Sequence, residues 1–359
     1  MIVDEELAPA VKLVRARDAR AQLCVLRHGR VVVDVAVNCA PNALFWIFSA
    51  SKPLTALLVH LLAERGALRL DGPVAAHWPE FARHGKQAIT VRQVLAHRAG
   101  LPVAQGLVRD ALVITDWQRS IRHLERARPT YPPGEVPAYH MVSYGFLLGE
   151  LVRRISGEPV ERFLRDEFLT PLGLRDTYLG LPARRADRRS DELWERHVPI
   201  VGRGATERAV AVAANRRSFR AAVIPAAGIS TTARDLARFY QALLLGGELD
   251  GVRVLRPETI EAARQPSSDG EIDRVIGLPI RWSYGFQLGG QSDERRSPNP
   301  MGLLSDRRTF GHNGSNLCLG WADPTRQLVM VYLTDRLAAR HVNAPHQAAV
   351  SDAILTAFP

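Results

Sequence analysis

Cysteine is scarce in this chain, and its arrangement argues against two kinds of site. The 359 residues include three cysteines, Cys24, Cys39 and Cys318. They suit reduced thiols better than a disulfide framework, and no C-x-x-C pair indicates a metal or redox site. Histidine, aspartate and glutamate form no compact cluster with ligand spacing either. The sequence therefore disfavours metal catalysis.

Long apolar runs are also missing. The longest are much shorter than a membrane span, and the N-terminal stretch MIVDEELAPA begins with acids instead of a basic region followed by an apolar one. With 46% hydrophobic and 23% charged residues, the composition is that of an ordinary globular protein, and the length allows about two domains. We expect a cytoplasmic protein that does not engage a membrane.

A concentrated basic surface is absent as well. The formal net charge is +10, yet basic and acidic residues are interleaved, as in ARRADRRSDELWERH at 183–197. A phosphate-binding face shows a basic stripe, which this pattern lacks. We therefore expect no nucleic-acid partner.

Lysine is rare among the basic residues. Only Lys12, Lys52 and Lys86 are present, and nearly every other positive charge is arginine. Arginine stays protonated in proteins, whereas a buried lysine can become neutral and accept a proton. A position that keeps lysine is therefore a candidate for proton transfer.

Segments near both ends of the chain predict β-strands. Two apolar, β-branched runs within 21–38 meet at His28-Gly29-Arg30, which predicts a hairpin. The C-terminal third adds four strand-like runs, at 281–290, 309–314, 317–324 and 328–335. A final helical segment covers 343–357.

Helices are predicted between these strands. Residues 49–68 read as a buried helix with Pro53 in its first turn and Gly66 at its end. Residues 228–247 read as a helix capped by Ser/Thr and closed by Gly-Gly. Helix-like segments separated by long loops occupy 73–221.

This order of elements predicts an α+β fold. The N- and C-terminal strands would form one antiparallel sheet flanked by helices, in a discontinuous domain made of residues 1–72 and 222–359. Residues 73–221 would form a mostly helical inserted domain. The active site is expected in the cleft between the two domains.

Serine patterns narrow the search for a nucleophile. The G-x-S-x-G elbow is absent, and Ser230 in GISTT is expected to cap a helix. Ser49 precedes Lys52 by three residues at a helix start, so both side chains lie on one face. A buried, neutral Lys52 could take the proton from the Ser49 hydroxyl, while the Ser49 amide faces a developing oxyanion. The alternative is an N-cap serine beside an exposed lysine.

Two later stretches favour the catalytic interpretation. Tyr139 lies on a loop just before a helix, and His312-Asn313-Gly314 ends a predicted strand. Together with SASK, these stretches resemble the three motifs of the serine β-lactamase and penicillin-binding-protein superfamily, with the closest likeness to its class C-like esterases. Phrases such as ITVRQVLAHRAGLP and AAGISTTARDLARF extend the resemblance over most of residues 20–335. A β-lactamase/transpeptidase-like fold is implied.

The resemblance also implies a role for each matched residue. Ser49 is the acylated nucleophile, Lys52 its base or proton relay, and Tyr139 the second base. His312-Asn313-Gly314 lines the opposite wall, and the amides of Ser49 and Ser315 form the oxyanion hole. No metal or organic cofactor is implied.

Three residues depart from the superfamily's pattern. Met141 stands where the Tyr-x-Asn motif has asparagine, so a polar contact to a substrate amide is missing. His312 replaces the strand lysine, which removes a fixed charge that would bind the carboxylate of penicillins. Both changes are typical of esterase-like members and point away from β-lactam and D-Ala-D-Ala chemistry. Asn316 stands where many relatives have glycine, and the sequence assigns no effect to it.

Other side chains near these motifs have expected roles in the core, in substrate binding or in a turn. Trp282, Tyr284 and Phe286 alternate as strand residues do, so one set is expected to face the core. Trp282 and Tyr284, with Asn313, are the candidate substrate-binding residues. His97 in LAHRAGLP is expected to hold a turn rather than do chemistry.

The sequence thus predicts a serine hydrolase that cleaves small carboxylic esters through an acyl-Ser49 intermediate. The main alternative is an acyltransferase that passes the same acyl group to a small-molecule acceptor. A β-lactamase or D-Ala-peptidase, and a non-catalytic relative, are weaker alternatives. The expected partner is a small-molecule ester or acyl donor, and the sequence does not predict an oligomeric state.

Overall fold

The structure of the chain, a computed structural model, describes residues 2–182, 188–290 and 298–359. The start of the mixed-charge stretch at 183–197 therefore lies outside the described residues. Within these bounds the strands are β1 (Ile2–Val3), β2 (Ala21–Arg27), β3 (Arg30–Val37), β4 (Phe45–Trp46), β5 (Tyr178–Leu179), β6 (Val201–Gly202), β7 (Ile229–Thr231), β8 (Glu248–Leu249), β9 (Val252–Arg253), β10 (Gln287–Leu288), β11 (Phe310–Gly314), β12 (Cys318–Asp323), β13 (Leu328–Thr334) and β14 (Arg336–Leu337).

Helices occupy most of the remaining described chain. They are α1 (Ala8–Arg15), α2 (Lys52–Glu64), α3 (Val91–Leu95), α4 (Leu107–Val113), α5 (Trp117–Arg126), α6 (Ser143–Ser156), α7 (Val160–Leu164), α8 (Arg188–Glu195), α9 (Ala205–Ala214), α10 (Arg217–Ala221), α11 (Ala233–Leu244), α12 (Pro257–Arg264) and α13 (Arg340–Ala357). Short 3-10 turns join several of them, and the turn at Phe48–Ser51 leads directly into α2.

A seven-stranded sheet forms the centre of the fold, in the order β1-β3-β2-β13-β12-β11-β10. Its neighbouring strands are all antiparallel. The strands come from 2–37 and from 287–334, so the two ends of the chain meet in one sheet. This arrangement confirms the predicted α+β class.

Helices cover both faces of this sheet. Alternate side chains of β13 enter two separate cores, Val329, Val331 and Leu333 on one face and Leu328, Met330 and Tyr332 on the other. Helices α1 and α13 cover the second core, whereas α2 and α11 pack within the first. A strand buried on both faces requires a continuous apolar run, which is why β13 lacks polar alternation.

The segment 73–221 contributes α3 to α10, and α6 packs against α2. Gly145 in α6 allows the segment at Pro225 and Ala226 to approach the helix closely, because a Cβ there would overlap the backbone nitrogen of Ala226. The short strands β5 and β6 of this segment pair with β7 and β14 outside it. The division into a sheet domain and an inserted domain therefore stays a prediction.

Two predicted helices begin later than the sequence pattern suggests. The helix expected over 49–68 starts at Lys52, because Phe48–Ser51 tightens into a 3-10 turn. Ser230 does not cap the helix expected over 228–247, since it lies in β7 and bonds the His197 ring at 2.9 Å. Thr232 is the cap, and its side chain accepts the N–H of Asp235.

The strand expected over 281–290 is also much shorter in the structure. Only Gln287–Leu288 pairs with β11. Ser283 and Phe286 form a tight turn, in which the Ser283 N–H donates to the Phe286 carbonyl at 2.9 Å. This turn folds the run back on itself, so the period-2 pattern of the sequence does not continue as a strand.

Candidate active site

Ser49 and Lys52 lie on one short turn at the start of α2. Ser49 belongs to the 3-10 turn, and Lys52 is the first residue of the helix. The three-residue spacing brings Lys52 Nζ to 3.0 Å from Ser49 Oγ. Phe48, immediately before Ser49, has a φ of +45°, a backbone conformation that non-glycine residues rarely adopt. Such strain is concentrated at functional sites.

The Lys52 amine is enclosed by the protein. The residue is 0% exposed, and Nζ donates to the backbone carbonyls of Met141 at 2.7 Å and Ala226 at 3.3 Å. Burial lowers the pKa of Lys52 well below its ordinary value, because the charged form loses its hydration. The structure thus favours a neutral amine beside the Ser49 hydroxyl.

Tyr139 approaches the same pair from a distant part of the chain. Lys52 Nζ lies 4.7 Å from the centroid of the Tyr139 ring. Burial raises the pKa of Tyr139, the nearby Ser49 side chain opposes this rise, and the charge of Asp273 adds to it. Tyr139 is therefore a neutral phenol at pH 7.

Strand β11 runs beside the turn that holds Ser49. A Cβ on Gly314 would overlap the Ile47 carbonyl oxygen, so glycine is needed for this close approach. The contact brings Ser315, the first residue after the strand, to the same cleft as Ser49. The turn that holds Ser49 and the end of β11 at Ser315 thus meet at the cleft.

The departure at Asn316 has a conformational explanation. Ser315 and Asn316 have φ values of +51° and +54°, in the left-handed region where glycine is favoured and asparagine is the most tolerated alternative. The Asn316 N–H donates to Asn313 Oδ1 at 2.6 Å, and Asn313 Nδ2 donates to Gln347 Oε1 at 2.5 Å. Asparagine therefore keeps the turn that glycine would allow.

His312 lines the cleft as an uncharged residue. Its Nδ1–H donates to the Asn313 carbonyl at 2.7 Å. Burial and, to a smaller extent, the nearby Lys52 lower the pKa of His312 to about 3. Its Nε2 is buried without a hydrogen-bond partner among the described residues. The position thus provides an acceptor rather than a positive charge.

A cleft of about 540 Å³ opens in front of Ser49. This volume is in the usual range for small-molecule sites. Apolar side chains form most of its wall, among them Met141, Val142, Val210, Val275, Ile276 and Ile280. Trp282, Asn313 and Arg340 also line it.

Tyr284 is the candidate substrate-binding residue that the structure does not bring to the cleft. Its ring centroid lies 5.1 Å from the Arg92 guanidinium carbon, and its carbonyl contacts the His60 ring at 2.7 Å. The tight turn that shortens the predicted strand directs Trp282 and Tyr284 to different surroundings. Of Trp282 and Tyr284, only Trp282 therefore stays a candidate substrate-binding residue.

Two buried histidines support the loop of Tyr139. His97 Nδ1 accepts the backbone N–H of His140 at 3.1 Å. His140 donates from Nδ1 to the Ala138 carbonyl at 2.7 Å and accepts the Leu101 N–H at 3.2 Å. Burial lowers the pKa of His140 to about 4 and lowers that of His97 as well. Both act as neutral, structural residues.

Sequence reasoning missed several groups in and around the cleft. The carbonyls that hold Lys52 belong to the backbone, and no side-chain pattern marks them. Asp273, whose carboxylate contacts Tyr139 and Trp282, stands in a stretch with no motif. Arg340 lies just before the predicted final helix, and nothing local indicates that it reaches the cleft.

Two kinds of feature are absent from the described residues, a metal-binding cluster and a membrane-spanning helix. No group of three or more His, Cys, Asp or Glu side chains is arranged to hold a metal ion within that part of the chain. No helix among the same residues is long and apolar enough to cross a membrane.

Comparison with known proteins identifies relatives along almost the whole chain. The Beta-lactamase family profile matches residues 11–353. The esterase/beta-lactamase LipL of Mycobacterium tuberculosis is 30% identical over 358 residues, which cover 90% of this chain and 79% of LipL.

Two solved structures match as broadly. A penicillin-binding-protein homolog from Caulobacter crescentus has 29% identity and a TM-score of 0.84, covering 100% of this chain and 99% of that one. A family VIII carboxylesterase has 26% identity, a TM-score of 0.84 and the same coverage. The chain therefore has the β-lactamase/transpeptidase-like fold and belongs to the Beta-lactamase family, within the superfamily of serine β-lactamases and penicillin-binding proteins.

Proposed function

We propose that this protein is a serine carboxylesterase that hydrolyses small esters through an acyl-Ser49 intermediate. The observation that carries the proposal is the contact of 3.0 Å between Ser49 Oγ and a Lys52 amine whose pKa is lowered by burial. A neutral amine next to a hydroxyl activates the serine as a nucleophile. Relatives named as an esterase and a carboxylesterase support this reaction class.

Lys52 is the base in this mechanism. A neutral amine has two N–H groups and one lone pair, and the carbonyls of Met141 and Ala226 accept the two N–H groups. The lone pair is then left for the Ser49 hydroxyl. As the Ser49 oxygen bonds to the ester carbonyl carbon, its proton moves to Lys52 Nζ.

Tyr139 relays protons without becoming a stable phenolate. Because its pKa is raised, the phenol takes up one proton as it releases another. The departing alkoxide receives a proton from the Lys52–Tyr139 pair as its bond to the carbonyl carbon breaks, which leaves Ser49 acylated. The Tyr139 ring face, 4.7 Å from Nζ, stabilises the ammonium that exists in between.

Water completes the cycle by the same route in reverse. It attacks the acyl carbon and gives a proton to the Lys52–Tyr139 pair, and the bond to Ser49 breaks as Ser49 Oγ regains its proton. We assign the backbone N–H groups of Ser49 and Ser315 to the oxyanion, because strand β11 brings both residues to one cleft. The acid and the unchanged enzyme are the products.

Acyl transfer is the second candidate, since an alcohol can replace water in the last step. The cleft volume of about 540 Å³ allows an acceptor to enter beside the acyl group. Hydrolysis of an aryl ester in the presence of increasing alcohol would distinguish the two outcomes. A product ratio that never changes with alcohol concentration would contradict transfer.

Efficient β-lactam turnover is not expected. His312 stands where the superfamily's strand lysine would be and is neutral, although Arg340 supplies a cation elsewhere in the cleft. Nitrocefin turnover should therefore be far slower than ester turnover. Comparable rates would contradict this expectation.

The central test uses two serines of the same turn. Ser49→Ala should lower kcat/KM for p-nitrophenyl acetate at least about 10³-fold and abolish the mass increase caused by a mechanism-based phosphonate. Ser51→Ala is the matched control, because Ser51 Oγ accepts the Ile229 N–H at 3.2 Å and does not serve as nucleophile. Wild-type hydrolysis by Ser49→Ala would refute the assignment. A phosphonate adduct on Ser49 would exclude the non-catalytic alternative.

A further inference from the structure

Asp273 is a fully buried carboxylate beside the cleft, and no lysine or arginine pairs with it within the described part of the chain. A buried carboxylate is costly unless hydrogen-bond donors surround it. Four N–H groups do so here. Oδ1 accepts those of Tyr139, Val275 and Ile276 at 3.1, 2.9 and 3.0 Å. Oδ2 accepts the indole N–H of Trp282 at 3.0 Å.

Two of these bonds control the position of Tyr139. One fixes its backbone nitrogen directly, across 134 residues of sequence. The other orients Trp282, whose ring stacks on that of Tyr139 with centroids 5.2 Å apart and planes inclined by 9°. The phenol is therefore held from its backbone and from its ring face by the same carboxylate.

The other two bonds shape the cleft wall. By accepting the N–H groups two and three residues further on, Asp273 closes a turn, and its carbonyl accepts the Gly277 N–H at 2.8 Å. Val275 and Ile276 of this turn line the cleft. The Arg274 N–H also donates to the Pro137 carbonyl at 2.9 Å, so the turn is attached to the loop of Tyr139.

We propose that Asp273 is a positioning residue that couples the proton-transferring phenol of Tyr139 to the apolar wall against which the acyl group lies. This inference rests on the proposed function of Tyr139. Asp273 acts through other residues and does not touch the reacting atoms. A change at Asp273 should therefore alter both the rate of the chemical step and the preference for acyl length.

Asp323 provides a matched control in the same chain. It is also 0% exposed, and its Oδ1 accepts the N–H groups two and three residues further on, those of Thr325 and Arg326, at 2.9 and 3.1 Å. Its Oδ2 is paired with the Arg326 side chain at 2.8 Å. Asp323 ends β12 at the turn to β13, and the same kind of turn there has no contact with Tyr139.

The experiment compares Asp273→Asn with Asp323→Asn. Rates are measured with p-nitrophenyl acetate and p-nitrophenyl hexanoate and are divided by the concentration of sites that react with a phosphonate, so that unfolded molecules do not count. Asp273→Asn should lower kcat about 10- to 100-fold and raise the KM of the hexanoate more than that of the acetate. Asp323→Asn should lower the melting temperature and leave both constants near their wild-type values.

A pH profile gives a readout that a purely structural role would not change. The Asp273 charge raises the pKa of Tyr139, so its removal should lower that pKa. The alkaline decline of kcat should then move to lower pH in Asp273→Asn and stay in place in Asp323→Asn. An Asp273→Asn protein with wild-type kcat and an unchanged alkaline limb would overturn the proposal. So would an equal loss of kcat in both variants.

Trp282→Phe keeps the experiment decisive if Asp273→Asn does not fold. Phenylalanine keeps an aromatic ring against Tyr139 but removes the N–H that Oδ2 accepts. A lower kcat supports the inference, and a wild-type kcat contradicts it. Ser49→Ala tests the proposed function separately from the role of Asp273. Wild-type activity of Ser49→Ala would refute the proposed function itself, whereas wild-type behaviour of Asp273→Asn alone would refute only the positioning role.

Discussion

Two of the three lysines are fully buried, and comparing them shows why we propose only one of them as a base. Lys52 Nζ contacts two backbone carbonyls and the hydroxyl of Ser49. Lys86 is also 0% exposed, and its Nζ donates at 2.6 to 3.0 Å to three backbone carbonyls, those of Arg83, Glu125 and Ala127. The two sites differ in the third partner.

That third partner decides the protonation state. A carbonyl only accepts hydrogen bonds, so three carbonyls around Lys86 require the three N–H groups of an ammonium. A hydroxyl can also donate, so the Lys52 site is satisfied by a neutral amine. Burial lowers the pKa of Lys86 to about 8 and that of Lys52 well below its ordinary value. Burial alone therefore does not produce a base, because the hydrogen-bond partners of the lysine must also accommodate its neutral amine.

The strongest test replaces each lysine with methionine. Lys52→Met should lower kcat/KM for an aryl ester about 10³-fold, because the proton acceptor is lost. Lys86→Met should leave kcat per folded molecule near wild type, because Lys86 contacts only structural carbonyls. Steady-state rates, corrected for the folded fraction by circular dichroism, measure both. Equal losses at the two positions would remove the distinction.

The pH dependence should separate the two lysines next. Because the fold lowers the pKa of Lys52, its amine becomes protonated only at a pH well below the ordinary lysine pKa of about 10.4. Below the lowered pKa of Lys52, kcat/KM should decline about tenfold per pH unit. The acid limb should be the same in Lys86→Met. A limb near pH 10 in either protein would mean that the fold does not lower the pKa of Lys52.

Stability should respond at Lys86. Lys86→Met leaves three buried carbonyls without their donor and should lower the free energy of unfolding by about 3 kcal/mol. The folded pKa of about 8 lies below the unfolded value, so the wild-type free energy of unfolding should rise as pH increases from about 8 towards about 10. Urea titrations over this range test both statements. The rise should be smaller in Lys86→Met, in which the lowered pKa of Lys52 still contributes to it.

The smallest effect is expected at Met141. Its backbone carbonyl, not its side chain, holds Lys52, so Met141→Leu should change kcat less than about threefold. Because the side chain lines the cleft, KM should move more than kcat. A large drop in kcat with unchanged KM would show that the Met141 side chain supports the base directly.

Two kinds of sequence evidence identified the candidate catalytic residues, local spacing for Ser49 and Lys52 and a motif resemblance for Tyr139. Ser49 and Lys52 are three residues apart, so their contact follows from local helix geometry. Tyr139 was found only through the resemblance of its stretch to a known motif. The structure brings these three side chains together, and their catalytic roles stay predictions.

Other parts of the site depend on long-range contacts that no local pattern shows. Asp273 meets Tyr139 from 134 residues away, and Gln347 holds Asn313 from 34 residues away. Asn316 looked like a departure from the superfamily because its left-handed backbone cannot be read from one sequence. Tyr284 was expected at the cleft for a related reason, because the sequence pattern does not show the turn that interrupts the expected strand.

The overall sheet was more accessible to prediction than its boundaries. Continuous apolar runs such as β13 are long enough to identify a buried strand. Ser230 and Thr232 are both plausible helix caps by residue type, and only pairing of β7 with its neighbours decides between them. Tertiary contacts thus set the ends of elements whose existence the sequence already indicates.

The burial of Lys52 and Lys86 also has a practical consequence for attaching this enzyme to a surface. Lys12, on α1, is the one lysine side chain that is exposed, and no residue of α1 lines the cleft within the described chain. Among the lysine side chains, amine-reactive supports and dyes should therefore couple at Lys12, while the buried amine of Lys52 is shielded from the reagent.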